Sequence, residues 1–420
     1  MAEVAAPAWV RSAIWWHVYP LGFGGGLRRI ERYLDYAREL GASGVALGPV
    51  FASETHGYDT VDHFRIDPRL GQESDFDALV TAAHERGLRV ALDGVFNHVG
   101  RSHPLFLQAL EDTAVANEWF RPAGGDFHVW EGHRRLVTLN HDSPAVADYV
   151  AGVMTHWLDR GASAWRLDAA YSVPREFWAR VLPRVRASHP ETYIWGEQIA
   201  GDYAGLVQGG GIDSVTQYEL WKAIGSSIHD RNFFELAWSL KRHQQFLADF
   251  VPFTFLGNHD VSRVATRIGD PRHLAHAIVV LFTVAGTPAV YYGDERGLLG
   301  VKENREGGDD AVRPAYPDHP AELDPAGTEP YRLHQRLIGL RRRNPWLHDA
   351  RTEPLSVATT ALAYESVSAA DSAQGLSVLL NLSDATAELP TGGRTRLLDG
   401  AAIYDAERAT VPPHGWAVLG

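Results

Sequence analysis

The chain has 420 residues, 45% of them hydrophobic and 22% charged, enough for one large globular domain with a smaller companion. Its net charge of -13 and pI near 5.8 argue against nucleic acid and anionic membrane as partners, because both call for clustered Lys and Arg. The absence of cysteine excludes disulfides, Cys-ligated zinc and a Cys nucleophile.

Residues 1–10 lack a basic start and a sustained apolar run, so no signal peptide is expected and the protein is placed in the cytoplasm. The longest apolar stretch, near 277–285, is too short to span a bilayer. Residues 13–22 are apolar and aromatic, like a buried strand, and Leu27, Ile30, Leu34 and Ala37 then recur at helical spacing. A strand at 44–50 is followed by a helix near 76–85. Further strand-like runs lie at 89–98, 164–169, 192–197, 215–218, 252–258 and 288–293. Helical patterns at 146–158, 176–187, 234–247 and 274–284 separate them, and a last helix is expected near 331–343.

Eight strands, most followed by a helix, predict a parallel (β/α)8 barrel, with a doubly wound sheet as the alternative. Two interruptions stand out. Between 99 and 140 a loop with Trp119, Phe120, Phe127 and Trp130 predicts a short subdomain inserted after strand three. A Gly-, Asp- and Pro-rich loop at 294–329 follows strand eight, where a long loop is often a lid. Short runs at 361–367, 376–382, 394–398 and 416–419 predict a C-terminal antiparallel β-sandwich. The expected division is a barrel of 1–98 and 141–346, an insert of 99–140 and a terminal unit of 347–420.

Four of the strand-like segments end on a carboxylate: Asp93, Asp168, Glu197 and Asp260. In a β/α barrel these ends gather the active site. Cleaving a glycoside with retention needs one carboxylate nucleophile and one carboxylic acid. Asp168 follows Arg166 by two residues, so both side chains share a strand face, and the guanidinium is expected to keep the nucleophile ionised. Glu197 follows Trp195 and Gly196, an apolar setting that suits an acid. Asp260 is expected to accept hydrogen bonds from sugar hydroxyls, and His98 and His259 to donate to them. Singly, each has a plainer reading as a helix cap, a structural ion pair or a hydrogen-bonded histidine. The order of four carboxylates on alternating units makes the plain reading fail for the set.

These segments resemble the conserved regions of the α-amylase family of glycoside hydrolases, often called family 13. The resemblance covers roughly 13–345 and rests on Asp93–His98, Arg166 with Asp168, Glu197, and Asn258-His259-Asp260. His56-Gly57-Tyr58-Asp59-Thr60 is similar to the segment whose Tyr stacks under the sugar ring, and 286–295 to the last barrel strand. The resemblance implies that Asp168 attacks the anomeric carbon while Glu197 protonates the leaving oxygen, and that water or a second sugar then displaces the glycosyl ester.

The chain departs from the family at several points. Tyr171-Ser172 stands where many starch-degrading members have Lys-His, and Val137-Thr138-Leu139-Asn140 lacks a usual Asp. Asn97 remains as a ligand, but Gly24-Gly25-Gly26-Leu27-Arg28 offers no second metal site, so a metal-independent enzyme without cofactor is expected and calcium is doubtful. Gly257 stands where Asp is frequent. Thr55, with Glu54 beside it, replaces the Asp that holds the terminal sugar in exo-acting relatives; Asp309, Asp310 and Arg313 are candidates for a substitute clamp, or simply a solvated charged loop.

The reading is therefore a retaining hydrolase of short α-glucans or small α-glucosides, whose partner is an oligosaccharide substrate. A transglycosylase or isomerising glucosyltransferase using the same site is the alternative, decided by residues such as Tyr171, Gln198, Tyr218 and Trp221. A catalytically silent sugar- or protein-binding barrel ranks below both.

Overall fold

The computed structural model describes residues 6–305 and 307–420; residues 1–5, part of the segment read for a leader, lie outside them. Eight parallel strands form the centre: β1 (Trp15–Val18), β2 (Gly44–Leu47), β3 (Arg89–Gly94), β4 (Ala164–Leu167), β5 (Tyr193–Gly196), β6 (Ser214–Val215), β7 (Phe253–Phe255) and β8 (Thr287–Tyr291). Their order runs β6-β5-β4-β3-β2-β1-β8-β7. A parallel bridge from Thr216 to Phe253, with Gln217 N–H donating to Phe253 O at 2.9 Å, joins β6 to β7 and closes the ring. This closure separates the (β/α)8 barrel from a doubly wound sheet.

The strands read as unbroken apolar runs because the helices cover one face and the barrel interior the other. Trp15, Trp195 and Phe253 fill that interior against the small Ala46, Ala91, Ala164 and Ala289. Trp195 and Phe253 stack with centroids 4.7 Å apart. Large rings facing small residues let the layers interdigitate without voids. On the outside, helix Pro144–Asp159 turns Val146, Val150, Val153 and Trp157 inward, an i, i+4, i+7, i+11 stripe.

The sequence reading took 215–218 as a strand, but Tyr218 opens helix Tyr218–His229. The Gln217 side chain caps that helix, accepting from Glu219 N–H at 3.1 Å and Leu220 N–H at 3.3 Å. Glutamine is a weak cap signal in sequence, and the apolar run across it hid the boundary. Between β3 and β4 the chain builds helices Pro104–Ala109 and Thr113–Trp119 and a small ladder of His98–Gly100 with Leu136–Thr138.

After β8 the chain makes only short 3-10 turns over 294–327, yet it is firmly held. Arg263, fully buried after β7, donates to Tyr292 O (2.6 Å), Asp294 Oδ1 (3.0 Å) and Val312 O (2.8 Å). Tyr291 and Tyr292 add hydroxyl bonds to Val312 O and Pro314 O, both 3.0 Å. These bonds flank Arg313 and fix where it points.

The C-terminal unit is an antiparallel sandwich. A five-stranded sheet runs Arg351–Val357, Ala361–Val367, Gly375–Asn381, Trp416–Leu419, Leu397–Gly400, and a three-stranded sheet runs Ala387–Pro390, Arg408–Val411, Ile403–Tyr404. Ala363, Leu379, Leu389, Val411 and Leu419 form the core between them. Among the described residues no helix is long and apolar enough to cross a membrane.

Candidate active site

Asp93, Arg166, Asp168, Glu197 and Asp260 meet at the C-terminal end of the barrel. Arg166 is the hub. Its Nη1 donates to both oxygens of Asp93 (2.8 and 2.6 Å) and lies 3.3 Å from Asp168 Oδ1, while Nη2 lies 3.0 Å from Glu197 Oε1. One buried guanidinium thus touches all three carboxyls. Asp93, given only a supporting place in the sequence reading, is its closest counter-charge and the most deeply buried of the three.

The expectation that the Arg166 guanidinium keeps Asp168 ionised needs correction. Burial pushes the Asp168 carboxyl well above the ordinary carboxylate range; Arg166 works against this, and the charges of Glu197 and Asp93 add to it. Asp260 behaves differently. Burial raises it, but His259 and Arg313 outweigh burial and hold it below the ordinary range.

Glu197 is fixed from three sides: Arg166, the Tyr218 hydroxyl at 3.3 Å from Oε1, and the Ala169 N–H at 3.0 Å from Oε2. Ala169 has φ 44°, a left-handed conformation that costs a residue with a Cβ about 1 kcal/mol or more. The conformation aims its N–H at the neighbouring strand's carboxylate.

Tyr58 lines the cleft. Its hydroxyl donates to Asp93 Oδ2 at 3.0 Å and also meets His259 Nε2. His259 is sandwiched between Tyr58 (5.1 Å, 9°) and Tyr19 (5.6 Å, 9°), and its Nε2 lies 2.9 Å from Asp260 Oδ2. It is buried and reaches the cleft through those neighbours rather than directly.

His98 is a correction. Its Nε2 pairs with Tyr58 O at 3.0 Å, its Nδ1 faces Asn97 Nδ2 at 3.0 Å, and Trp130 stacks over it at 5.0 Å. Both ring nitrogens are occupied and the ring is buried, so it presents no donor to a sugar; burial pushes it down to about 3, and it stays neutral. It carries Tyr58 instead.

Arg313 does reach the site. Its Nη2 lies 2.9 Å from Asp260 Oδ1 and 3.0 Å from Asp309 Oδ2, and Nε donates to His259 O at 2.9 Å. Thr55 and Glu54 do not. Thr55 Oγ1 donates to Asp59 Oδ2 at 2.5 Å, and Glu54 Oε1 accepts from Ser102 N–H at 2.6 Å, so both brace turns.

Tyr58, Asp168, Glu197, Asp260 and Arg313 line a cleft of about 540 Å³. Its lining includes Asp260, Arg313 and Asp309, together with Glu197, Tyr171 and, from the insert, Trp130 and Glu131. A groove of about 630 Å³ lies at the opposite end of the barrel, between Arg89, Ser163 and Thr192, and holds none of the four carboxylates. The chemistry belongs to the smaller cleft. The sequence assigns no role to Trp130 or Glu131, which stand in the cleft wall, nor to Asn258, which is buried behind Tyr218. Asn258 lay within a quoted motif; the first two sat in the insert, whose path no periodicity revealed.

Asn97 turns its amide nitrogen to His98, and Asn140 Nδ2 donates to Asn117 O (2.9 Å) and Glu118 O (3.3 Å). Among the described residues no cluster of three His, Asp or Glu could hold an ion.

The chain matches the family described as alpha amylase, catalytic domain, over residues 11–134 and 116–363. A cyclomaltodextrinase from Bacillus sp is 32% identical over 340 residues, 70% of this chain and 61% of that relative. A maltogenic alpha-amylase from Bacillus acidopullulyticus is 30% identical over 389 residues, 81% of this chain and 64% of that relative. This chain therefore spans less than two thirds of those curated relatives' length. The crystal structure of the Nostoc punctiforme debranching enzyme, soaked with acarbose, superposes with a TM-score of 0.86 at 26% identity, covering 100% of both chains. A family match across the whole barrel, and the Arg166 cluster at its carboxyl end, make this chain a member of the α-amylase family.

Proposed function

We propose that this protein is a retaining glycoside hydrolase that cleaves α-glucosidic bonds of short α-glucans or small α-glucosides. The observation that carries the reading is the single buried guanidinium of Arg166 in contact with Asp93, Asp168 and Glu197, the last two of which line the cleft.

Asp168 and Glu197 share Arg166 as counter-charge, and retaining cleavage needs one of the pair as an anion and the other as a proton donor. With substrate bound, the proton sits on Glu197 beside the glycosidic oxygen, and Asp168 is the anion. Asp168 attacks the anomeric carbon, the C–O bond to the leaving sugar breaks, and Glu197 gives its proton to the departing oxygen. Glu197 then takes a proton from water as the water displaces Asp168 from the ester. Asp260, ionised through His259 and Arg313, is suited to binding sugar hydroxyls as charge develops on the ring.

The size of the substrate follows from the walls. Arg313 and Asp309, with Trp130 and Glu131 of the insert, wall a cleft of about 540 Å³, which suits a short substrate. The names of the relatives point the same way, one a cyclomaltodextrinase and one a maltogenic amylase. We take the enzyme to be metal-independent, since among the described residues no cluster of three His, Asp or Glu could hold an ion. A cytoplasmic setting and an oligosaccharide as the sole partner class complete the reading; cell fractionation tests the first.

Incubation with maltose, maltotriose, isomaltose, trehalose, sucrose and a cyclodextrin, with products identified, tests the function. Hydrolysis of at least one short α-glucan is expected, falling by a factor of about 10³ or more in D168N. Transfer products exceeding free sugar at high maltose would replace hydrolysis by transglycosylation. No turnover of any of them would refute the reading.

A further inference from the structure

Tyr218 and Asn258 form a chain of hydrogen bonds whose direction is fixed from one end. Asp260 N–H donates to Asn258 Oδ1 at 2.9 Å. A backbone N–H can only donate, so the amide of Asn258 has one orientation, with its NH2 group away from Asp260. Asn258 Nδ2 then donates to the Tyr218 hydroxyl at 2.7 Å. The phenol oxygen accepts that bond, and its one proton is left for the remaining neighbour, Glu197 Oε1 at 3.3 Å.

The ring that holds this hydroxyl cannot wander. Tyr218 is buried, occupies the first position of its helix behind the Gln217 cap, and packs edge-on against Phe255 at 4.9 Å and Trp221 at 5.5 Å. Asn258 is in turn buried beside it. A fully satisfied polar chain in a low-dielectric barrel mouth rigidifies its members, Glu197 among them.

We propose that Tyr218 is a positioning residue for the acid/base carboxyl of Glu197, oriented through Asn258, so that the segment carrying Asp260 also sets the aim of Glu197. The inference rests on the hydrolytic reading above. By holding Oε1 together with Arg166, Tyr218 fixes the carboxyl plane, while Ala169 N–H holds Oε2. Its effect falls on the step that needs the acid, the protonation of the leaving oxygen.

The leaving group supplies the readout. Maltotriose must expel a sugar alkoxide, which needs the proton; α-maltosyl fluoride delivers the same donor sugar and expels fluoride with far less help. Tyr218→Phe keeps the ring and its packing but loses the hydroxyl. It is expected to lower kcat/KM for maltotriose by about 10-fold or more and for the fluoride by less than about 3-fold. Asn258→Asp cannot donate to the phenol, which would turn its proton toward the new carboxylate; it is expected to show the same bias. A purely structural defect lowers both substrates together. Equal losses, or none, in Tyr218→Phe would overturn the proposal, as would an Asn258→Asp variant that treats both substrates alike. Glu197→Gln separates the two readings. If Glu197→Gln discriminates between the substrates and Tyr218→Phe does not, the proposal falls alone; if Glu197→Gln does not discriminate, the assignment of the acid falls and the proposal with it.

Discussion

Gly257 occupies the position where the family often has Asp, and the structure gives a reason that a single methyl can test. Its backbone is not in the left-handed region, so alanine is sterically allowed by conformation alone. In open space a Gly→Ala change would stabilise the fold by roughly 0.4–1 kcal/mol through the unfolded chain. Here the added Cβ would collide with Asp294 Oδ2 and stand 3.2 Å from its Cγ. Asp294 cannot step aside freely, since it is buried and its Oδ1 is 3.0 Å from Arg263, which is itself bonded to Tyr292 O and Val312 O. If Asp294 holds, overpacking costs about 1–3 kcal/mol. If it yields, breaking the buried Arg263–Asp294 pair costs about 3–5 kcal/mol. We therefore expect G257A to lose about 3 kcal/mol, read as a lower urea midpoint by circular dichroism. Shortening the partner in D294A should remove most of the added cost, a coupling of about 1 kcal/mol or more in a double-mutant cycle. A G257A protein more stable than its parent, or a cycle in which the two changes simply add, would refute the packing argument.

Two further outcomes are expected. Burial pushes His63, His141, His243, His276, His334 and His348 down to about 4 and His98 and His103 to about 3. The unfolded chain therefore binds more protons as pH falls from about 6.5 to 4, and each histidine withdraws roughly 1 kcal/mol per pH unit there. Asp213 and Asp294, raised by burial to about 6, act in the opposite sense: their folded forms take the proton first and gain stability as pH drops below 6. The histidines outnumber them, so thermal midpoints should fall from about pH 7 to pH 5; a higher midpoint at pH 5 would show the sign to be wrong. Dialysis against EDTA should leave both turnover and the thermal midpoint in place, and a loss restored by calcium would reverse the metal reading.

Much of the architecture was legible because barrel strands and their helices have different hydrophobic periods. The eight strands and the helices at 144–159, 175–188 and 328–343 follow that pattern closely. Helix Tyr218–His229 is hidden in the sequence where an apolar strand runs straight into it, and the insert reads as a short subdomain without its two helices, which carry too few turns to show a period. The carboxylates and Arg166 were visible as strand-end residues, and their convergence follows from the fold. What sequence could not show was which partner each group chooses. Arg166 prefers Asp93, a residue 73 positions earlier, over the Asp168 beside it on the same strand. His98 looked free to bind sugar, yet its neighbour Asn97 and the carbonyl of Tyr58 take both nitrogens. Such choices are made by packing across elements, which no spacing records.

The central claim is that Asp168 is the nucleophile of a covalent glycosyl-enzyme. A slow-turnover donor, 5-fluoro-α-glucosyl fluoride, should form an ester with the enzyme that survives acid quench and peptic digestion. Mass spectrometry of the peptides should place the added sugar on Asp168. A label on Glu197, Asp260 or Asp93, or consumption of the reagent with no label at Asp168, would contradict the account.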